Sequence, residues 1–379
     1  MSKINELIKE MCPNGVEYVK LEELVDYIQP AKYIVKNTNY DIKYDVPVLT
    51  AGQTFILGYT NEKDGIYYAS ADNPVIIFDD FTTSNHWVDF NFKVKSSAMK
   101  ILISKTDNLF KYIYYCISNI DYVPKEHSRQ WIQVYSQFPI PLPPLKVQEE
   151  IVRILDKFGE LEAELEAELE TRKSQYEFWR GNLLFNPNYP VYKMEDICII
   201  NQGLQIPINQ RKKEPGENRY FYITVQFLKN EGENYYIENP SESVICKKDD
   251  ILVTRTGSTV KIVYGVEGCF HNNFFKVTPI INLNKKYLYH VLNSTQMFNE
   301  MLRAASGGTV PDLPHKKFYK LEIGLPSIEE QKKIVTILDK FENLISDISI
   351  GLPAEIELRR KQYKYYRNKL LSFEELSCE

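Results

Sequence analysis

Two stretches of this chain say nearly the same thing: "LPPLKVQEEIVRILDKFGEL" at Leu142–Leu161 and "LPSIEEQKKIVTILDKFENL" at Leu325–Leu344. At an offset of 183 they share Leu142/Leu325, Pro143/Pro326, Gln148/Gln331, Ile151/Ile334, Val152/Val335, Ile154/Ile337, Leu155/Leu338, Asp156/Asp339, Lys157/Lys340, Phe158/Phe341 and Leu161/Leu344. An internal repeat constrains a fold more than any local propensity, because whatever the text builds is built twice. A weaker echo places Lys20–Leu24 against Lys193–Ile197. The repeating unit is therefore a globular segment followed by the repeated text.

The repeated text reads as helix. In the first copy Val147, Ile151, Ile154, Phe158, Leu161 and Leu165 step by four and three, the seam of a coiled coil. After a one-residue slip, Leu169, Arg172, Tyr176, Trp179 and Leu183 continue it, so one helix is expected from Leu145 to about Phe185. At 1.5 Å per residue it would extend roughly 60 Å. The interior "ELEAELEAELE" is made of strong helix formers and reads as a solvated face. The second copy repeats the seam through Ile334, Ile337, Phe341, Leu344 and Ile348. Beyond it, Arg172, Gln175, Tyr176, Arg180, Leu183 and Leu184 match Arg359, Gln362, Tyr363, Arg367, Leu370 and Leu371 at an offset of 187. The extra turn lies near Gly351 and Pro353, where the helix should kink or break. Neither helix can bury a seam alone, so the two are expected to pair antiparallel, with the segment leading into each at opposite ends.

A chain of 379 residues exceeds one hydrophobic core, and 44% hydrophobic content with 27 Tyr and 19 Phe argues for folded domains. Between the repeats, short β-rich runs such as "PVIIFDD" and "DDILVTRTGSTVKIVYG" are bounded by Gly, Asn and Asp, and each set precedes a helical run, Asn108–Ile120 or Lys285–Ser306. The expected fold class is α+β: two globular α+β domains, separated by an antiparallel pair of long coiled-coil helices in a pseudo-twofold repeat. The expected boundaries are 1–143 and 186–325 for the domains, 144–185 for the first helix and 326–379 for the second, kinked near 351–353.

Composition excludes several classes. No apolar run approaches the ~18–20 residues of a membrane span, and "MSKINELIKEMC" has neither the basic nor the apolar region of a signal peptide, so a cytoplasmic protein is expected. The six cysteines stand singly, without the C-x-x-C spacing of a zinc site. The five histidines are isolated from metal-ligand spacings, no phosphate-binding G-x-x-x-x-G-K-[ST] loop is present, and "NPNYP" only faintly resembles an adenine-methyltransferase motif. No enzyme activity, cofactor or metal is expected. A net charge of -5 conceals a gradient: 14 basic against 17 acidic residues in 1–143, 6 against 10 in 144–185, 17 against 14 in 186–325 and 9 against 10 in 326–379. Acid concentrated in the first helix leaves room for local basic faces elsewhere.

The duplicated "PLPPLKVQEEIVRILDKF" and "GLPSIEEQKKIVTILDKF", the trailing "ELRRKQYKYYRNKLL" and the "SGGTVPDLPHKKFYKLEIGLP" before the second helix resemble the specificity subunit of type I restriction-modification systems over essentially the whole chain. The resemblance implies two target-recognition domains, each reading one half of a bipartite asymmetric site in double-stranded DNA. It further implies a coiled coil that docks two methyltransferase subunits and, through them, restriction and translocase subunits. The chain itself would be non-catalytic, directing a DNA adenine methyltransferase and ATP-dependent endonuclease.

Under that reading the DNA-facing candidates are loop residues able to donate to bases and phosphates. In the first domain they are Thr83, Ser84 and Asn85 of "TTSNHW", with Lys125, Ser128, Arg129 and Gln130 of "KEHSRQW". In the second they are Arg211, Lys212 and Lys213, then Arg255, Thr256, Ser258, Thr259 and Lys261, then Ser306, Gly307, Gly308 and Thr309. Ile151, Ile154, Phe158, Leu161, Ile334, Ile337, Phe341 and Leu344 are the coiled-coil packing candidates. Two other readings stay open: an interaction scaffold whose heads bind proteins without nucleic acid, and a nuclease using the Asp pairs of "IIFDDF" and "CKKDDIL".

Overall fold

The computed structural model describes residues 2–50, 54–229, 233–256, 260–305, 311–346 and 351–376. They form two compact units, one of Met1–Leu165 with Ile356–Glu379, the other of Glu166–Glu355.

The first unit runs α1 (Ser2–Met11), β1 (Glu17–Lys20), α2 (Leu21–Leu24), β2 (Val25–Ile28), β3 (Val46–Leu49), β4 (Ile56–Thr60), β5 (Val75–Asp79), β6 (Asn85–Val88), β7 (Lys93–Val94), β8 (Met99–Ser104), α3 (Phe110–Asn119), β9 (Pro139–Leu142) and the first part of α4 (Leu145–Leu184). An antiparallel sheet of order β2-β8-β5-β6 forms its centre, and a smaller sheet β4-β3-β7 pairs β3 with β7 in parallel. The run "VIIFD" of β5 is buried throughout because this central strand is covered on both faces, which is why it reads as a continuous apolar run rather than an alternating one. Strand β1 pairs with β9, Glu17 opposite Leu142, and Pro144 then opens α4, its carbonyl accepting from the Val147 and Gln148 N–H groups.

The second unit runs β10 (Val191–Lys193), α5 (Met194–Ile197), β11 (Cys198–Gln202), β12 (Arg219–Ile223), β13 (Tyr236–Glu238), β14 (Ile245–Cys246), β15 (Ile251–Thr254), β16 (Ile262–Val263), β17 (Gly268–Phe270), β18 (Phe274–Pro279), α6 (Lys285–Leu292), α7 (Thr295–Ala304), α8 (His315–Phe318), β19 (Glu322–Gly324) and α9 (Ile328–Ser346). Its sheets are β11-β18-β15-β16, antiparallel, and β13-β12-β17-β14, with β12 and β17 parallel. Strand for strand this is the first topology again, with β14 added. The register agrees: Val25 faces Ser104 where Cys198 faces Pro279, and Ile76 faces Leu102 where Ile251 faces Val277. Interiors that share little text share one architecture.

The joint between each head and its helix is also duplicated. Gln148 Nε2 donates to the Pro143 carbonyl at 2.8 Å while its Oε1 accepts from the Leu109 N–H at 3.2 Å. Gln331 does the same to Pro326 at 2.9 Å and Asn284 at 2.9 Å. The Tyr112 hydroxyl donates to the Pro141 carbonyl at 3.0 Å, and the Tyr287 hydroxyl to Gly324 at 2.8 Å. Each pair satisfies polar groups that would otherwise be buried bare, which explains why the glutamine recurs in both copies of the repeat.

The long helices pair within each unit. In the first, Phe158 packs on Tyr366 at 5.5 Å, Glu162 bonds Arg360 at 2.6 Å, and Leu370 and Leu371 of the α10 (Leu352–Leu370) terminus share a core with Val147, Ile151 and Leu155. As α4 advances the α10 numbers fall, so the pair is antiparallel. In the second, Tyr176 meets Phe341 at 6.3 Å in a core with Leu184, Ile334, Leu338 and Ile345. In the second stalk the described residues form two helical stretches. Helix α9 ends at Ser346 and α10 starts at Leu352, with Pro353 in its first turn where a missing N–H costs nothing. Residues 347–350 lie outside the described residues. Ile334→Ala should empty a fully buried site and cost about 2–5 kcal/mol in denaturant unfolding of the full chain.

Candidate nucleic-acid interface

In the first unit the structure brings the two candidate segments together. The turn after β5 is closed by Asp79, whose Oδ1 accepts from the Phe81 N–H at 2.8 Å and the Thr82 N–H at 3.2 Å. The 125–131 segment docks on it: the Gln130 N–H donates to the Asp80 carbonyl at 2.8 Å, the Trp131 N–H to Asp80 Oδ1 at 2.9 Å, and Phe81 stacks on His127 at 4.7 Å. Beneath the tip, Asp80 and Lys100 form a buried ion pair at 3.5 Å. Burial pushes the Lys100 ammonium below its usual range, against the pull of Asp80.

This tip turns three of its candidates inward. Gln130 is buried, giving Nε2 to the Ser128 carbonyl at 2.8 Å and taking the Tyr122 hydroxyl at 2.8 Å on Oε1, so its amide is already spent. Thr83 is buried, with φ 63 at the bend, and Asn85 accepts from the Ser118 hydroxyl at 2.5 Å. These side chains build the turn rather than face outward. Ser84, Lys125, Ser128 and Arg129 are exposed.

The second unit repeats the arrangement with different chemistry. Arg255 stands at the register position of Asp80, and its carbonyl accepts from the Leu313 N–H, as Asp80 accepts from Gln130. Gln130 of "KEHSRQW" and Leu313 thus make equivalent contacts. The Arg255 guanidinium grips Asp312 with two bonds, 2.6 and 3.0 Å, which hold the Asp312 carboxyl below its ordinary range. Thr256 is half-buried beside it, and Lys261 donates to the Leu228 carbonyl at 3.3 Å. Ser258, Thr259, Ser306, Gly307, Gly308 and Thr309 lie outside the described residues.

A cleft of about 510 Å³ opens next to this turn, lined by Ile208, Arg211, Thr224, Val225, Gln226, Lys229, His271 and Asn273. Arg211 donates through Nε to the Ile206 carbonyl at 2.9 Å and lies over the rings of Tyr222 and Tyr235 at 5.0 and 5.5 Å. Its neighbours face elsewhere: Lys212 pairs with Glu238 at 3.7 Å and Lys213 with Glu233 at 2.9 Å. Burial, helped by Arg211, holds the His271 imidazole below its usual range. Gln226, Lys229, His271 and Asn273 were not legible as site residues, because they come from two separate segments and no motif joins them.

The stalk carries a second surface. On the first unit a groove of about 370 Å³ is lined by Arg153, Ile154, Lys157, Phe158, Leu161, Arg359, Gln362 and Tyr366. At the repeat offsets their counterparts include Ile337, Lys340, Phe341, Leu344, Arg172, Gln175 and Trp179. Of these, Ile337, Leu344 and Trp179 are 42%, 39% and 48% exposed. Ile151 and Ile334 are buried, and Phe158 and Phe341 touch partner-helix rings. Ile337 and Leu344 do not pack as expected: α9 buries Ile334, Leu338 and Ile345, and the adjacent apolar line stays open.

His290, Asp339 and Glu342 bring one donor atom each within 4.8 Å of one another, and the Lys286 ammonium, 2.9 Å from Asp339, supplies the positive charge there. Among the described residues no helix is long and apolar enough to cross a membrane.

Comparison with known proteins agrees with this architecture. The type I restriction modification DNA specificity domain matches twice, over residues 13–171 and 186–358. The specificity subunit of the type I restriction enzymes EcoR124I and EcoR124II of Escherichia coli is 43% identical over 400 residues, covering 98% of each chain. The crystal structure of a type I restriction-modification S subunit from M. genitalium aligns with TM-score 0.56 at 14% identity, over 94% of this chain and 96% of that one. A chain solved in work on complex assembly and conformational transition of the type I system aligns with TM-score 0.57, likewise at 14% identity, over 95% and 98%. Two domain matches in tandem, on heads of one topology, leave the scaffold reading without support: the chain belongs to the specificity subunits of type I restriction-modification systems.

Proposed function

We propose that each head reads one half of a bipartite, asymmetric site in double-stranded DNA, and that the chain supplies sequence choice to a complex whose methylation and cleavage are performed by other subunits. Residues 1–143 and 186–325 serve as the two target-recognition domains, with 144–185 and 326–379 as the stalk. One observation carries the reading: the two heads share one strand order, β14 excepted, while the turn at the same register position holds a buried Asp80–Lys100 pair in one and a partly exposed Arg255–Asp312 pair in the other. A shared frame with unlike tips suits two unlike half-sites. Exposed Lys125, Ser128 and Arg129 would serve the first half-site, and Arg211, Lys261 and the cleft residues the second, by base-edge and phosphate contacts.

The groove on the first unit's stalk and the matching residues of the second are the proposed seats for two methyltransferase subunits, one per copy, with restriction and translocase subunits joining through them. The groove's apolar floor with a rim of Arg153, Lys157 and Arg359 has the composition of a protein interface centre and rim.

Filter binding of random duplexes tests the proposal, using the chain alone and co-expressed with a methyltransferase subunit. Retention in at least one mixture is expected, falling steeply with salt. Retention by neither overturns DNA reading.

A further inference from the structure

Each head sits on its stalk helix through one joint, and one difference between the two copies decides whether the joint can take up a proton. On α3, Lys111, Tyr112 and Tyr115 stand where α6 has Lys286, Tyr287 and His290. Asp156 of α4 accepts the Tyr115 hydroxyl. Asp339, its counterpart on α9, bonds His290 Nε2 at 2.9 Å and the Lys286 ammonium at 2.9 Å. A phenol buried in this way keeps its proton, since burial and Asp156 both push it up. An imidazole has a second protonation site.

His290 is fully buried, and among the described residues its Nδ1 has no hydrogen-bond partner. In the neutral ring Nε2–H donates to Asp339 and Nδ1 is a bare acceptor. A second proton would have to sit on Nδ1, a buried N–H with nothing to receive it. The surroundings absorb the added charge only in part. Asp339 is shared with Lys286, and Glu342 of α9 already accepts the Tyr289 hydroxyl at 3.2 Å. Lys286 and Tyr289 are on the same helix as His290, the Tyr264 ring lies against Tyr289 at 4.9 Å, and Tyr176 and Arg180 of α4 act electrostatically on Tyr289. Burial accordingly holds the His290 ring below its ordinary range, despite Asp339 and Glu342.

We infer that Tyr115 and His290 are positioning residues, orienting each head on its stalk helix through Asp156 and Asp339, and that of the two joints only the second loosens on protonation. The sign follows from the burial. A base whose folded value lies below its unfolded one stabilises the closed joint above the ordinary histidine value of about 6.5, and that contribution is lost as pH falls through the folded value. The inference is independent of nucleic acid, so it stands or falls apart from the DNA reading.

Hydrogen exchange on the full-length chain tests it, after correction for the intrinsic pH dependence of exchange. Between pH ~7.5 and ~5.5, a window bracketing the histidine value, protection of Lys285–Leu292 should fall about tenfold or more while that of Phe110–Asn119 holds. His290→Tyr should remove the pH response, and Tyr115→His should confer one on Phe110–Asn119. Equal acid loosening in His290→Tyr and the unaltered chain, or none in the unaltered chain, overturns the inference. So does a response that appears only with added Zn²⁺ and vanishes with chelator. Should His290→Tyr lose its circular dichroism, a Tyr115→His chain without a pH response overturns it alone.

Discussion

A chain carrying Phe158→Asp and Phe341→Asp should fail to capture methyltransferase subunits in co-purification, with each site weakened roughly 30- to 1000-fold in titration. The magnitude is that of an interface hot spot, about 2–4 kcal/mol at 1.4 kcal/mol per tenfold. Each ring lies at the edge of its helix pair: Phe158 is framed by Tyr363 and Tyr366 at 6.2 and 5.5 Å, and Phe341 by Tyr176 at 6.3 Å. A carboxylate there meets apolar surface on both sides and cannot be desolvated cheaply. Because the rings also touch the chain's own helices, Ile337→Asp separates docking from folding. Ile337 is exposed, so this variant should keep its unfolding midpoint and still lose one of two bound methyltransferase subunits by mass measurement. Two subunits retained by all three substituted positions would refute the groove as their seat.

Replacing Asn186–Ile323 by the equivalent segment of another family member should rewrite one half of the methylated motif and leave the other unchanged, read by sequencing modified adenines in cells. The excision points are set by the structure. Tyr192 pairs with Ile323 in the β10-β19 ribbon, so the segment enters and leaves through adjacent strands. Gln331, Asp339 and the stalk seam all lie outside it, and the joint they form asks the incoming head for a tyrosine and a polar partner at the α6 positions. A swap that changes both halves of the motif would contradict independent heads.

The long helices and their antiparallel pairing were legible because a repeat with a four-three seam states both. The strand-by-strand match of the two heads was not. Aligned at the stalk offset of 183, Lys111, Tyr112 and Tyr114 miss Lys286, Tyr287 and Tyr289, which lie 175 positions on. Loops of unequal length hide a match that strand register reveals. The tips were further disguised by Asp80 and Arg255, whose backbones do the same work while their side chains carry opposite charge. Among seam residues, α9 offers two neighbouring apolar lines, Ile334-Leu338-Ile345 and Ile337-Leu344, and periodicity alone cannot say which of them faces a helix of the same chain. Gln130 looked like a base reader because its type suits adenine, while its burial depends on Tyr122 and Ser128 folding back over it.

The make-up of the first unit has a consequence for how the protein is made. It draws on Met1–Leu165 and again on Ile356–Glu379, whereas the second is contiguous. A ribosome advancing at ~5–20 residues per second needs roughly 10–40 s to traverse Glu166–Glu355. Throughout that interval Val147, Ile151 and Leu155 wait for Leu370 and Leu371 to cover them, so the head translated first is the last to be sealed. Nascent chains of this protein should therefore be most vulnerable to protease and most attractive to chaperones at their earliest-made domain, until the final helix clears the exit tunnel.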